Sequence, residues 1–454
     1  MRSIKMKQLS NEILAEHLSG LVRFPTISCQ KVEDMDMDAF LGMHKYIEKT
    51  YPNISRTLTK EVIGPCGLLY KWKGSGNSDR LPLLLMAHQD VVPEGDWNKW
   101  KYPPFEGRIA DGCVWGRGSV DSKANMLACL ESVEYLIEMD VTPGCDVYLA
   151  FGYNEEIAGT EGSAAGMIAD TLEVRGIKLG MVMDECGYLE KKGDCYAAKL
   201  LFCEKGYSDV EISVPLLGGH SCKPPKHSGL GILAKAICAI EDNPMPQRLI
   251  YPVVEQFKAM APFIEDEYQR KLFSEPEKYR EELFAFCERD PELNASTRTT
   301  SVVTMAKGSD QANILPERAW AVVNNRILPG ETVDDLLDHY RKVLPEGVEM
   351  RLVKGSNPPP VQSLTSTAYH VIDSVLSEMY PGYKMVPTLL LGGTDSRYFC
   401  KICPTGSSYR MTGLVYDSRW AGNTHRANER IACDVLVPNV EFYIKVVEKY
   451  TEAK

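Results

Sequence analysis

No run of about 18 apolar residues occurs in this 454-residue chain, which excludes an ordinary membrane-spanning helix. The opening stretch MRSIKMK (1–7) lacks the apolar core of a secretion signal, so none is expected. No long Lys/Arg block interrupts a net charge of -11, and a nucleic-acid surface is therefore not expected. A second CxxC to accompany Cys400-Lys-Ile-Cys403 is missing, so the 14 cysteines read as reduced thiols, mostly core packing, and a cytoplasmic location is the expectation. There is no GxSxG elbow and no P-loop, which disfavours a serine hydrolase and an ATPase. Gly116-Arg-Gly-Ser-Val-Asp121 lacks the third glycine of a dinucleotide loop and follows a mixed polar segment, which disfavours nicotinamide binding. Internal repeats and extended low-complexity segments are absent too.

What is present is ordinary globular material, 44% apolar and 25% charged, in a length that favours two domains. An amphipathic pattern over residues 9–24 ends at Pro25, and a second helix is predicted over 38–50. Strands at 67–73, 82–88, 146–152 and 178–184 then alternate with helices at 123–139 and 162–170. That alternation predicts an α/β domain with a mostly parallel, buried sheet and helices on both faces. After Lys205-Gly206 the texture changes: a half-exposed strand at 209–214, a helix at 229–240, a strand at 319–327 and a helix at 333–343 predict an α+β domain on an antiparallel sheet. An acidic, helix-prone insertion spans about 246–296, and Lys354-Gly-Ser-Asn-Pro-Pro-Pro360 has the composition of a linker. The expected division is a catalytic domain of 1–205 and 356–454 around an inserted lid of 206–355.

The chemistry gathers at the predicted strand ends. His88 and Asp90 are two apart at the end of an apolar strand, so they point to one side, where open α/β sheets collect their ligands. A structural hydrogen bond is the bland reading; a histidine whose second nitrogen is held by an acid also suits a metal. Asp121 precedes a helix and reads as an N-cap or a ligand. Glu155 and Glu156 end one apolar strand and Asp184 another, each a solvated loop acid in the bland reading. Adjacent carboxylates after a buried strand repel unless one is protonated or a cation lies between them. Two divalent ions supply that cation. Asp121, Glu156 and Asp184 with the neutral imidazoles of His88 and His425 then leave the site one positive charge, one carboxylate must bridge, and Glu155 stays free as a general base.

At this point the residues resemble a family: the metal-dependent exopeptidases and amidohydrolases that include carboxypeptidase S, aminoacylase, carnosinase-like dipeptidases and succinyl-diaminopimelate desuccinylase. The matching stretches run in the family's order over nearly the whole chain: LVRFPTIS (21–28), MAHQDVVP (86–93), WGRGSVDSKANM (115–126), NEEIAGTEGS (154–163), MDECG (183–187), GGHSCKPP (218–225), NILPERAWAVVNNRILPG (313–330), GGTDSR (392–397) and NTHRANERI (423–431). The carboxypeptidase S branch is the most similar.

The resemblance implies that Asp121 bridges two zinc ions, with cobalt or manganese as alternatives. His88 and Asp184 complete one, Glu156 and His425 the other. It also implies that Asp90 orients His88, that Glu155 is the general base, and that His220 is a lid histidine donating to the oxyanion. Asn313, Arg326, Gly393, Thr394 and Arg397 are implied to bind the substrate, with Asn313, Arg326 and Arg397 clamping its free carboxylate. A guanidinium fork suits a planar carboxylate on chemical grounds as well, although a surface salt bridge is the ordinary fate of an arginine such as Arg326.

Two positions depart from the family. Cys186 stands where relatives mostly carry glycine, with a narrowed pocket, a soft ligand and no role all open. Cys222 stands where a small residue such as Ser is common. The expected activity is hydrolysis of an amide next to a free C-terminal carboxylate, of carboxypeptidase or dipeptidase type. The rival is an N-acyl-amino-acid amidohydrolase, and a non-catalytic metal-dependent binding protein is the remote reading. Expected partners are a small peptide or N-acyl amino acid, with neither nucleic acid nor membrane. Either a homodimer forms through the lid, or the 246–296 insertion covers that surface and keeps a monomer.

Overall fold

The apolar runs Leu83–His88, Val147–Gly152 and Met181–Asp184 are buried along their whole length, as strands covered on both faces must be. In the computed structural model, which describes residues 9–157 and 162–452, they lie side by side and parallel. Leu83 to His88 pair with Val147 to Gly152 on one flank, and Leu83 to Leu85 with Met181 to Met183 on the other. Ser408–Arg410 extends the parallel core beside Met181–Asp184. Both flanks then turn antiparallel: Gly67–Trp72 pairs with Val147–Gly152 and with Thr59–Ile63, while the hairpin of Tyr188–Lys192 and Cys195–Glu204 extends the far side, where Val415–Tyr416 adds a short parallel edge. The fold is mixed α/β, with a large sheet that is parallel through its centre. The expected N-terminal stretch 1–7 and residues 158–161 of the NEEIAGTEGS stretch lie outside the described residues.

Side chains alternate across this sheet. Leu84, Met86, Tyr148 and Ala150 pack with Ile168 and Leu172 of the helix Ala164–Val174, so Leu83, Leu85 and Ala87 go to the opposite face. There the helix Lys123–Glu138 lies against Leu83–His88 and packs with Asn11–Val22 and Leu436–Thr451. No described helix is long and apolar enough to cross a membrane, and all 14 cysteines are free thiols.

The chain divides into two compact units, one of residues 1–202, 362–386 and 394–454, the other of 203–361 and 387–393. The division expected from sequence differs in placing 203–205, 356–361 and 387–393 with the first unit. In the second unit, strands in the order Thr300–Lys307, Arg318–Ile327, Gly206–Pro215, Glu349–Ser356 form an antiparallel sheet. Val210, Ile212, Ala321 and Val323 bury one face of it against Leu233, Ala236 and Leu336 of the helices Gly229–Asp242 and Val333–Val343. The second of these helices starts on a capping box between Thr332 and Asp335.

The insertion forms the helices Tyr251–Met260, Glu267–Ser274, Arg280–Cys287 and Pro291–Thr297 around Phe257, Phe273 and Phe286, whose successive ring centroids are 4.6 and 6.1 Å apart. Lys354, Gly355 and Ser356 belong to a strand and not to a linker, because their backbones continue the pairing with Tyr207 to Asp209. The composition signal there came from the prolines that follow.

Candidate metal centre

The strand Leu83–His88 ends with His88 beside Gly152, and both ring nitrogens of His88 face acceptors. Nδ1 lies 3.0 Å from the carbonyl oxygen of Asp90 and 3.3 Å from its Oδ1, so Nδ1 carries a hydrogen and Nε2 is turned the other way. Nε2 meets Asp121 Oδ1 at 2.9 Å and Glu185 Oε1 at 3.3 Å. Asp121 Oδ2 in turn lies 3.1 Å from Nε2 of His425, which is 3.0 Å from Glu156 Oε2. Asp90 is buried and holds the next strand end in place: its two oxygens accept the backbone N–H groups of Glu155 and Glu156, each at 3.1 Å. One carboxylate thus fixes both His88 and the pair of adjacent acids.

Two overlapping donor groups result, His88 with Glu155 and Glu185, and His88 with Asp121 and Glu156, each with ligand atoms within 4.8 Å of one another. An imidazole with carboxylate oxygens suits zinc and other divalent first-row ions. The two groups set four acids, Glu155, Glu185, Asp121 and Glu156, about His88, and ionised carboxylates are all acceptors, so a proton or a cation has to stand among them. His425 adopts φ 62°, a left-handed conformation uncommon outside glycine, at the point where it meets Asp121 and Glu156.

The structure separates two acids that the sequence left adjacent. Asp184 is turned away from His88: its Oδ1 accepts the N–H of Glu185 at 2.9 Å and its Oδ2 the N–H of Ser396 at 3.0 Å. Glu185 is the acid that reaches His88, in the place expected for Asp184. The chain then turns at Cys186, φ 79°, a backbone that favours glycine. Sequence reasoning also passed over Glu429. Buried beside Arg117, it accepts the N–H groups of Val120 and Asp121 at 3.0 and 3.2 Å and so sets the turn that presents Asp121. Asp395 is a further buried acid, raised well above the carboxylate range by burial and by Asp184.

Thr394 and Arg397 lie in the first unit, Thr394 Oγ1 accepting from Arg410 Nε at 3.0 Å. His220, Asn313, Arg326 and Gly393 lie in the second. There His220 is exposed on the short strand Gly219–His220, its Nδ1 accepting from Cys222 N, while Arg326 sits over the ring of Tyr207.

Electrostatics make the metal-free cluster proton-hungry. Burial raises Glu155, Glu156 and Glu185, the last to about 7, and the carboxylates of Asp121 and Glu156 raise His425 to about 10. Burial opposes a charge on His88, yet Glu185, Asp121 and Asp90 hold it well above the ordinary imidazole range. Asp121 is lowered against its burial by the two histidines, and titrates below this window. A raised acid destabilises the fold as pH climbs from its unfolded value through its folded one. A raised histidine stabilises it below its unfolded value and loses that contribution as pH climbs through its folded one. Both signs agree, so the groups of this cluster together bind more protons in the folded state than in the unfolded chain from about pH 5 to pH 8, and they outnumber the buried Lys123 and Lys205, which burial lowers to about 7 and which act in the opposite sense at the upper end. The chelated protein is expected to melt at progressively lower temperature from pH 5 to pH 8, and added divalent ion to reverse the loss at pH 8. Scanning calorimetry checks this; a melting temperature that rises through the window would exclude it.

Residues 84–449 match the peptidase family M20/M25/M40. The chain belongs to this family. It is accordingly a hydrolase, an enzyme of a metallopeptidase family whose members imply divalent ions, and the donor cluster fits such ions. Among similar proteins, the probable carboxypeptidase S-like 2 of Dictyostelium discoideum is 31% identical over 97% of this chain and 86% of its own length. The N-fatty-acyl-amino acid synthase/hydrolase PM20D1 of Xenopus tropicalis is 32% identical over 96% of this chain and 85% of its own. The crystal structure of the M20 family metallo-carboxypeptidase Sso-CP2 from Sulfolobus solfataricus has the same fold, with a TM-score of 0.71 over 96% of this chain and 99% of that one at 18% identity.

Proposed function

We propose that this family member hydrolyses an amide bond whose amine side is an amino acid with a free carboxylate, using two divalent ions, zinc foremost and cobalt or manganese as substitutes. The observation that carries the reading is Asp121, which offers one oxygen to each of two histidines, Oδ1 to His88 and Oδ2 to His425. A carboxylate so divided is what a shared ligand between two ions requires. His88 and Glu185 then belong with one ion, Glu156 and His425 with the other, and Glu185 takes the role expected of Asp184. These residues would hold ions that, when bound, would polarise a scissile carbonyl and lower the pKa of water.

Glu155 remains as the proton carrier. It is raised well above the carboxylate range by burial and by neighbouring acids, among them Glu185 and Asp395, which makes it a stronger base than a solvated carboxylate. It takes the proton of the attacking water and returns it to the leaving amine nitrogen. In this reading Asn313, Arg326, Gly393, Thr394 and Arg397 bind the carboxylate end of the substrate, and His220 donates to the carbonyl oxygen as negative charge develops. The free thiols support a reducing, cytoplasmic setting. The acyl side is an amino acid, as in a carboxypeptidase or dipeptidase, or another acid, as the name of the PM20D1 relative favours.

A panel of dipeptides and N-acyl amino acids tests the reaction, with hydrolysis expected to vanish on chelation and to return with zinc, cobalt or manganese. No turnover of either class would refute it. Metal analysis tests the ligand set: Asp184→Asn is expected to keep about two ions per chain, and Glu185→Gln to lose at least about one of them. The reverse pattern would restore Asp184.

A further inference from the structure

A cavity of about 230 Å³ within the first unit ends at Asp121 and Glu185. Its walls are Tyr188, Leu414, Tyr416, Trp420 and Ala421, with Cys186 beside Glu185. The rings form a continuous surface: Tyr188 stacks on Tyr416 with centroids 5.2 Å apart and planes at 28°, and Tyr416 meets Trp420 at 6.0 Å. Two polar side chains on the wall are engaged within the protein, while the buried indole N–H of Trp420 has no hydrogen-bond partner among the described residues. Asn125 donates to Met86 O and accepts from Tyr443, while Thr412 donates its hydroxyl to Gly187 O and accepts the N–H of Leu414. Such a wall offers hydrocarbon contact and little hydrogen bonding.

The cavity's charge says which end of a substrate it takes. No Lys or Arg is on its wall, so nothing there would hold the carboxylate end. Arg397 lines a separate depression with Ser163, Tyr398 and Lys401, and the two share no wall residue. The geometry points to this cavity as the acyl pocket of the enzyme, taking an unbranched apolar acyl group whose carbonyl lies at the metal centre. The inference rests on the hydrolase reading above and specifies its substrate as N-acyl amino acids of medium chain length. At about 30 Å³ per water-sized group, the volume holds roughly seven or eight such groups. Cys186 occupies a wall position where glycine would leave more room, which trims the pocket near the carbonyl.

The test is a series of N-acetyl, N-butanoyl, N-hexanoyl, N-octanoyl and N-dodecanoyl leucine, read in two ways. One is kcat/KM of the metal-loaded enzyme; the other is calorimetric affinity for the metal-loaded Glu155→Gln variant, which does not depend on turnover. Each methylene that enters the pocket is expected to raise both by up to about fourfold, until the series levels near eight carbons. Ala421→Phe, which fills the cavity from a half-buried wall position, is expected to flatten the series, read as the ratio of the octanoyl to the acetyl compound. Tyr416→Ala, at a 40% exposed ring, gives a second variant that removes wall area and is expected to weaken the octanoyl compound selectively. A flat series in both readouts, or a slope that neither variant changes, overturns the pocket even if acetyl-leucine is hydrolysed. Affinity that rises with chain length but without any turnover keeps the pocket and refutes the hydrolase reading.

Discussion

Glu155→Gln is expected to lower kcat by about 10²-fold to 10⁴-fold while the protein keeps its full complement of metal, because removing a positioned general base forfeits a factor of that order. The neutral amide preserves the shape of the side chain and leaves the backbone N–H of residue 155 on Asp90, so the neighbouring Glu156 stays where it is. A proton carrier and a ligand are thereby separated by one experiment: loss of a ligand lowers metal content, loss of the carrier does not. Steady-state kinetics on zinc-loaded protein, with metal measured on the same sample, decides it. Turnover within about tenfold of the wild type would remove Glu155 from the role. The same substitution relieves repulsion with Glu185 and Asp395, both of which raise Glu155, so the metal-free variant is expected to be no less stable than the parent.

Much of the fold could be read from the chain because its buried strands announce themselves. Leu83–His88 and Val147–Gly152 are short apolar runs followed by polar residues, and the long helix between them, buried on nearly all sides, could be placed to within a residue. The antiparallel flanks were harder to foresee. Thr59–Ile63 has the exposed, mixed pattern of an edge strand, and Tyr188–Lys192 turns at Gly193 with too few apolar residues to stand out.

At the site, the histidines and most acids could be named because each sits just beyond a strand or a predicted turn. Which of Asp184 and Glu185 faces His88 could not, since a strand buried on both faces carries no alternation to set the phase of its last residues. A clue was available in Cys186: a position usually filled by glycine signals a left-handed turn, and such a turn swings the residue before it off the line of the strand. Glu429 was hidden for a different reason. Its partners Arg117, Val120 and Asp121 lie some three hundred residues away, and only the folded chain shows that it holds the turn carrying Asp121.

That position leads to the second large effect. Arg117 and Glu429 form an ion pair that is 2% and 0% exposed, with Nη1 and Oε2 2.5 Å apart, and the other carboxylate oxygen takes the N–H groups of Val120 and Asp121. Burying two charges costs several kcal/mol each, and their attraction together with these hydrogen bonds offsets that cost; removing one partner leaves the other buried without its counter-charge. Glu429→Gln, which keeps the acceptor for the turn but strands the guanidinium, is expected to destabilise the protein by about 3–5 kcal/mol. Arg117→Met strands the carboxylate instead and is expected to cost a similar amount. The double variant should recover part of the loss, since an apolar side chain of similar volume no longer presents an uncompensated charge. Denaturant titration of the metal-free chain measures all three without interference from metal binding. A single-variant loss below about 1 kcal/mol would show that the pair contributes no more than a surface salt bridge does. Zinc affinity adds an independent reading, because Glu429→Ala also frees the N–H of Asp121. A weaker metal site in that variant than in Glu429→Gln, compared under conditions where both are folded, would assign Glu429 the positioning of Asp121 as well as the neutralisation of Arg117.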